Sequence, residues 1–168
     1  FYAPMIGGFD GFDITQQEPL GNHLLDSTST DLNSYVRYTL HKALAAVEDP
    51  EVVPANLLLI PGQQEAVITD QVVATATDRQ DLLAIIDLKN DYQPATEATA
   101  SARGSVTSTL STFNNRTNIN SSYGCAFYPA VQVADTDNGQ FVWVPSSVAA
   151  LGAFAQSQKA AELWFAPA

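Results

Sequence analysis

The chain has 168 residues, of which 46% are apolar and only 15% are charged. That length and composition predict a single domain, residues 1–168, with a sizeable core, and exclude a disordered chain. The 7 basic and 18 acidic residues give a formal net charge of −11, which repels phosphate backbones and argues against nucleic-acid binding. No apolar run approaches the roughly 20 residues that span a bilayer, so we expect no membrane insertion.

Residues 1–28 predict an irregular lead-in, because five turn-forming residues interrupt any regular element: Pro4, Gly7, Gly8, Gly11 and Pro19. The chain begins with Phe1 rather than Met, carries no signal-peptide pattern and stops at Ala-Pro-Ala. We therefore expect it to be a fragment of a larger subunit.

The first helix is predicted after a capping residue at Ser29, Thr30 or Asp31, and Glu48-Asp49-Pro50 should end it. Apolar residues recur at the spacing of one helical face: Leu32, Tyr35, Val36, Leu40, Leu44 and Val47.

Strands and helices then alternate. Continuous apolar runs predict strands over 55–60 and 81–88 that are covered on both faces. Helices are predicted over 63–77 and 96–114. The apolar stripe of the first is Val67, Val73 and Ala74, and that of the second is Ala98, Ala102, Val106, Leu110 and Phe113.

The last third of the chain predicts one long strand over 123–133 and a hairpin. Asp137-Asn138-Gly139 favours a type I′ turn into a strand over 140–144, and Ser146 or Ser147 should cap a helix over 148–159. The fold class is therefore α/β: a mostly parallel central sheet with helices on both faces and an antiparallel hairpin at its edge.

Sequence motifs for chemistry are weak. The cluster from Gly7 to Gly11 lacks phosphate-loop spacing, and Pro61-Gly62 is an ordinary loop that could at most hold an anion at a helix start. His23 and His41 lie in no metal-binding pattern and are expected to be solvated. The segment from Asp135 to Gly139 resembles a calcium loop but has Ser146 where a bidentate Glu is needed.

Asp87 is the one carboxylate at the end of a predicted buried strand, where open parallel sheets place functional groups. A helix-capping or loop-bonding role competes with that interpretation and is favoured. The single Cys125 should be a buried small hydrophobe. Seven aromatic residues could line a pocket, although core or interface packing is favoured: Phe127, Tyr128, Phe141, Trp143, Phe154, Trp164 and Phe165. We thus predict no catalytic, cofactor-binding or metal-binding residues and no cofactor.

Four segments together resemble the contractile-tail sheath proteins of bacteriophages and related injection machines. One is the final stretch, with Phe127-Tyr128-Pro129, Val144-Pro145-Ser146-Ser147, Trp164 and Ala166-Pro167-Ala168. The others are the Gly7–Gly11 lead-in, the Leu58–Gly62 loop and the Ala84–Asp87 strand. The chain departs from the family pattern at Ser146, where a second Pro is common, and near Ala160-Ala161 and Phe165.

The resemblance implies a structural component of a contractile tail sheath, not an enzyme. Such subunits polymerise helically around an inner tail tube above a baseplate and contract to drive the tube through the host envelope. It further implies assembly in the bacterial cytoplasm, a final location in the virion, and partners that are other sheath copies, tube and baseplate proteins. Without the family's terminal polymerising arms, the isolated fragment is expected to be monomeric in dilute solution.

A different function class remains open. The loops after Ile60 and Asp87 stand where a doubly wound α/β sheet binds ligands, so a small-ligand-binding or hydrolytic domain is the alternative.

Overall fold

The computed structural model describes residues 15–89 and 105–162. A short 3₁₀ helix, Asn22–Leu24, precedes four helices and five strands in the described part of the chain. The helices are α1 (Tyr35–Ala46), α2 (Ala66–Arg79), α3 (Val106–Asn114) and α4 (Ser146–Ala160). The strands are β1 (Leu57–Leu59), β2 (Leu83–Asp87), β3 (Gly124–Phe127), β4 (Val131–Asp135) and β5 (Gln140–Val144).

The α/β fold class is confirmed. Strands β1, β2 and β3 form a parallel sheet in that order, with Leu58 opposite Ala84 and Ile85 opposite Cys125. The chain crosses from β1 to β2 through α2, and it reaches β3 after α3. Parallel neighbours need such crossovers, which explains why strands and helices alternate in the sequence.

Helices cover both faces of this sheet, as predicted. Ala84 and Ile86 of β2 join the core cluster that contains Val72 and Val73 of α2. The side chain of Ile85 points the other way because side chains alternate along a strand, and it is still 99% buried. Helix α4 packs against β2 and β3, and its Phe154 meets Phe127 edge-on. The sheet therefore lies between α2 and α4.

Helix α1 begins later than predicted. Its cap is Ser34, whose hydroxyl accepts a hydrogen bond from the Arg37 amide at 3.3 Å, and not one of residues 29–31. Leu32 lies outside the helix and is 68% exposed, so its predicted place on the buried face is wrong. Val36, Leu40 and Leu44 are buried against α2 as the spacing predicted.

Helix α2 starts and ends later than the predicted 63–77. The amides of Gln64 and Glu65, just before its first turn, both donate to Oδ1 of Asn22, so a residue of the lead-in fixes the entry of the chain into the helix. Only Val73 of the predicted stripe is fully buried. Helix α2 instead buries a broader face, because α1 and the sheet cover it from two sides: Ile68, Thr69, Val72, Val73, Thr75 and Ala76.

Helix α3 is a single short element after Ser105, which is extended and whose hydroxyl caps the Ser108 amide. The predicted part before 105 lies outside the described residues. Val106 and Leu110 are 41% and 50% exposed, so the predicted apolar stripe is wrong at these positions. Thr109 is the buried residue, and its hydroxyl donates to the Lys89 carbonyl.

The long strand predicted over 123–133 is broken. It ends as β3 at Phe127, and Tyr128-Pro129, joined by a cis peptide bond, separates it from β4. A proline cannot donate to a sheet ladder, so the break falls where the donor is missing. Among the described strands, β4 and β5 pair only with each other, so the hairpin forms its own two-stranded sheet and not an edge of the parallel one.

The connection in the hairpin also differs from the predicted type I′ turn. Four residues, 136–139, link Asp135 to Gln140, and Gly139 alone has a positive φ, +67°. A type I′ turn needs two adjacent residues with positive φ. Hydrogen bonds from Asp137 and Asn138 to the Asp135 carboxylate hold the turn instead. Strand β1 is also shorter than predicted and only half-buried, because it lies at the edge of the sheet.

Candidate functional site

Asp87 ends β2 at the carboxyl edge of the parallel sheet and is 97% buried. Its side chain follows the direction of Ile85, on the face that α4 covers. A buried carboxylate is costly unless hydrogen bonds replace its water. Its surroundings therefore decide whether it is available for chemistry.

Four donors satisfy this carboxylate. Oδ2 accepts from the Gly62 amide at 3.1 Å and from the Ser147 hydroxyl at 2.6 Å. Oδ1 accepts from the Ser147 amide at 2.9 Å and from the Ser146 hydroxyl at 3.2 Å. Each oxygen thus has two partners, which uses most of the acceptor capacity of a carboxylate.

The bonds join three distant segments of the chain. Gly62 belongs to the loop after β1, and Ser146 and Ser147 open α4. Pro145, at the cap position of α4, has no side-chain donor or acceptor, so Asp87 takes the place of a capping side chain. Negative charge at a helix start is also stabilised by the helix dipole. The helix-capping and loop-bonding prediction for Asp87 is confirmed.

Three amides at and after the Pro61-Gly62 loop already have acceptors within the protein. The Gly62 amide serves Asp87, and the Gln64 and Glu65 amides serve Asn22. Gly62 adopts a φ of +81°, a conformation that favours glycine, and its amide donates to the carboxylate. The loop therefore closes on the protein's own side chains.

A cleft lies between the start of α2 and α3, at the same edge of the sheet. It measures about 190 Å³, below the roughly 300–1,000 Å³ typical of ligand pockets. The guanidinium of Arg116 reaches it, but donates to the Asp70 carboxylate and to the Thr69 hydroxyl. These bonds tie α2 to the end of α3.

Neither histidine sits in a catalytic or metal-binding arrangement. His23 is exposed in the 3₁₀ helix, as predicted. His41 is only partly exposed, because its Nδ1 lies 2.9 Å from Asp31, which also faces Arg37 at 3.5 Å. His41 thus lies at the surface as predicted, but with its ring beside Asp31 rather than in solvent alone. In the described part of the chain, no group of three potential metal ligands comes together.

The calcium-like segment uses its carboxylate internally. Asp135 accepts hydrogen bonds from the Asp137 and Asn138 amides and from the Asn138 side chain. These bonds, the Asn138 side chain first, lower the pKa of the Asp135 carboxyl below its usual value. The residues that resemble a cation loop therefore form a turn.

Cys125 is half-buried in β3, rather than fully buried as predicted. Its thiol donates to the Ala84 carbonyl at 3.5 Å, and burial raises its pKa. A raised pKa leaves less thiolate at neutral pH, so the group is poorly suited to nucleophilic chemistry.

The aromatic residues do not line one pocket. Phe127 packs with Phe154 between the sheet and α4, whereas Phe141 and Trp143 lie on the hairpin and are 70% and 43% exposed. Trp164 and Phe165 lie outside the described residues, as does the Gly7–Gly11 cluster. The predicted core packing holds for Phe127 and Phe154, and Tyr128 is partly buried with its hydroxyl shielded from solvent.

Arg79 has a structural role that was not predicted from the sequence. Its side chain is almost fully buried and donates to the Val47 and Val53 carbonyls and, through two nitrogens, to Asp81. The hydrogen bonds that Arg79 donates to Asp81 lower the pKa of the Asp81 carboxyl. The predicted helix ended at Thr77, so Arg79 lay outside it; in the structure Arg79 occupies the last turn of α2, where its charge also favours the helix dipole.

The exposed hairpin is the most unusual surface of the molecule. Among the described helices and strands, β4 and β5 make extensive contact only with each other. The sequence predicted a hairpin here, but as an antiparallel edge of the central sheet and not as a separate two-stranded sheet.

Comparison with known proteins identifies no relatives: no protein-family model matches the chain, and no curated protein is significantly similar to it. Within residues 15–89 and 105–162, no helix has the length and apolar character needed to cross a membrane.

Proposed function

We propose that the chain is a module of a contractile-tail sheath subunit, a structural protein without catalytic activity. The sheath would assemble from copies of the subunit around an inner tube in the bacterial cytoplasm and become part of the virion. Its contraction drives the tube through the host envelope for genome delivery.

One observation carries the proposal: segments that resemble the sheath family meet at Asp87. The Leu58–Gly62 loop, the Ala84–Asp87 strand and the Val144–Ser147 helix start are linked by the four hydrogen bonds to its carboxylate. Phe127, which opens the Phe-Tyr-Pro segment, pairs directly with Asp87 across β2 and β3. Residues far apart in sequence thus form one buried junction. The family-like segments therefore have a physical reason to occur together in one chain.

The junction also supports a mechanical role. Contraction of a sheath is a change of contacts between subunits, in which each subunit moves as a nearly rigid body. A buried carboxylate that ties one loop and the start of a helix to the sheet resists internal deformation, because loss of either bond from Ser147 leaves a buried donor without a partner. Such a module transmits force between its outer surfaces.

Electron microscopy of the complete gene product, expressed alone, tests the proposal. We expect long hollow tubes with a helical repeat. Only monomers under a range of salt and protein concentrations would contradict it, as would a complete catalytic motif in the remainder of the gene product.

A ligand-binding or hydrolytic domain is the alternative, and the cleft between α2 and α3 is the observation that favours it. Lys89, Arg116 and Glu65 line this cleft, which opens at the carboxyl edge of the sheet. Thermal-shift screening against nucleotides, sugars and carboxylates tests it. A ligand that raises the melting temperature in proportion to the logarithm of its concentration would favour the alternative over the sheath.

A further inference from the structure

We propose that Asn138 is a modification site for spontaneous deamidation, which the hairpin turn holds closed through Asp135. Asn138 precedes Gly139, and this is the single Asn-Gly pair in the sequence. An asparagine in this position is chemically labile, because glycine has no Cβ to hinder attack by its own backbone nitrogen. The inference concerns the turn alone and does not depend on the sheath proposal.

The reaction joins two groups that are neighbours in the chain. The backbone nitrogen of Gly139 loses its proton and attacks Cγ of the Asn138 side chain. The new C–N bond closes a succinimide ring while the Cγ–Nδ2 bond breaks, and Nδ2 leaves with one further proton as ammonia. One water molecule then opens the ring at either of its carbonyl carbons and leaves aspartate or isoaspartate at position 138. Water is thus the only other reactant.

Asp135 holds both reacting groups. The Gly139 amide donates to the Asp135 carbonyl oxygen at 2.9 Å. The Asn138 side chain donates through Nδ2 to Oδ2 of the Asp135 carboxylate at 2.7 Å. The nitrogen that must attack and the amide that must be attacked are therefore each bonded to Asp135 instead of approaching each other. Ring closure requires that both bonds break.

The other carboxylate oxygen fixes the backbone of the turn. Oδ1 of Asp135 accepts from the Asp137 and Asn138 amides at 3.1 and 3.3 Å. The Asn138 side chain, more than any other group, lowers the pKa of the Asp135 carboxyl, so this acceptor stays ionised at neutral pH. Hydrogen bonds to an ionised acceptor are roughly twice as strong as those between neutral groups. Asn138 thus has little freedom to turn its side chain toward Gly139.

Burial does not protect this site. Asn138 and Gly139 are both exposed, so water reaches the side-chain amide and the ring that would form from it. The hydrogen bonds within the turn are therefore what should slow the reaction.

The product would not fit the turn. Deamidation replaces the Nδ2 donor of Asn138 with a carboxylate oxygen, which would face Oδ2 of Asp135 with a charge of the same sign. Isoaspartate also routes the backbone through the side-chain carbon, which adds one atom to the link between Asp135 and Gln140, the pair that closes the hairpin. Both changes loosen the connection between β4 and β5, and the chain cannot reverse them by itself.

The test compares the native chain with the unfolded chain. The 168-residue protein is kept at neutral pH, native in one series and unfolded in guanidinium chloride in the other. Peptide mapping by mass spectrometry follows deamidation at Asn138. Because one neutral and one charge-assisted hydrogen bond must open first, we expect the native reaction to be roughly 10- to 100-fold slower. Equal rates in the two states would overturn the proposal.

Asp135→Ala tests which residue closes the site. It removes the three bonds to the carboxylate and leaves the backbone bond from the Gly139 amide. Relative to its own unfolded state, the native variant should deamidate roughly 10-fold faster than the native parent does. The same degree of protection in the variant and the parent would show that Asp135 does not close the site.

Asp137→Ala is the matched control. It removes a carboxylate from the same turn, directly before Asn138, but none of the oxygens that accept these bonds. This variant should keep the slow native rate, and loss of protection in both variants alike would contradict the role of Asp135.

Amide hydrogen exchange separates a released turn from a chain that has unfolded. In Asp135→Ala, exchange should rise at Gly139 while the amides of β2 stay protected. Faster deamidation that occurs only together with faster exchange in β2 would assign the effect to global unfolding and overturn the proposal.

Discussion

Replacing Asp87 should weaken the fold strongly, and the size of the effect separates a structural carboxylate from a functional one. Asp87→Ala removes the acceptor of four hydrogen bonds in a site that is 97% buried. The Ser146 hydroxyl is only partly buried and can turn to water. The Gly62 amide and both donors of Ser147 cannot do so without local opening.

The magnitude follows from these donors. An unsatisfied buried donor costs roughly 1–3 kcal/mol, so three of them cost roughly 3–9 kcal/mol. Removing the carboxylate also removes the cost of burying its charge, which is several kcal/mol for an ion without a counter-charge. We therefore expect a net loss of about 2–4 kcal/mol in the free energy of unfolding. For a chain of this length that is a fall of about 4–16 °C in melting temperature.

Asp87→Asn is the closest substitution in size. Its NH₂ group must replace Oδ1 or Oδ2, and a backbone amide, of Ser147 or of Gly62, donates to each of these positions. Whichever way the side chain turns, one of these two backbone amides then faces the NH₂ group, which is itself a donor. The Asn variant should lose about 1–2 kcal/mol, less than the Ala variant. Ser146→Ala, which removes only the longest of the four bonds, is the control and should stay within about 0.5–1 kcal/mol of the parent.

Urea unfolding followed by circular dichroism measures all three variants, and amide exchange at Gly62 and Ser147 reports the local opening. Unchanged stability in both Asp87 variants would refute the structural role. Increased stability would point to a functional carboxylate, since replacing strained active-site groups often stabilises a protein.

Two further expectations concern β3 and α4. Gly124→Ala should destabilise the fold by about 1–3 kcal/mol, because an added Cβ would lie 3.3 Å from both methyl groups of Val73, whereas Gly152→Ala, with open space around it in α4, should stabilise by up to about 1 kcal/mol. Urea unfolding midpoints measure both variants, and a change in stability of the same sign in the two would contradict this reasoning. Cys125 should react with a thiol reagent far more slowly in the native than in the unfolded chain at pH 8, because burial raises its pKa. Since the folded state holds the thiol proton more tightly, stability should also fall as pH rises above the unfolded thiol's pKa, and a native rate equal to the unfolded rate would disprove the burial argument.

The order of helices and strands was predictable because each depends on a local pattern. Continuous apolar runs predicted β1 and β2. Apolar residues spaced three and four apart predicted the buried face of α1, which contains Val36, Leu40 and Leu44. The stripe of α3 failed because spacing identifies a face without identifying a neighbour. Val106 and Leu110 have the right period, but no described element covers them.

The site was less predictable than the fold. A capping role for Asp87 followed from its place after a buried strand. Its donors, however, are 25 residues before it and 59 and 60 residues after it, and only the fold brings them together. The break at Pro129 did have a local signal, since proline interrupts central strands. The run of aromatic and apolar residues from Tyr123 to Val133 favoured the wrong prediction of one long strand.

The carboxyl edge of the sheet is where an α/β protein of this type would bind a ligand. Here the loop after β1 gives its amide to Asp87, the start of α2 gives its amides to Asn22, and Arg116 is held by Asp70. Groups that would otherwise recognise an anion are thus used to join neighbouring segments. Several exposed large apolar side chains lie instead on the hairpin, and others lie at separate positions such as Val52 and Leu110. This division, with polar groups turned inward at the usual ligand edge and apolar groups turned outward on a projecting hairpin, favours a protein that acts through contacts with other chains.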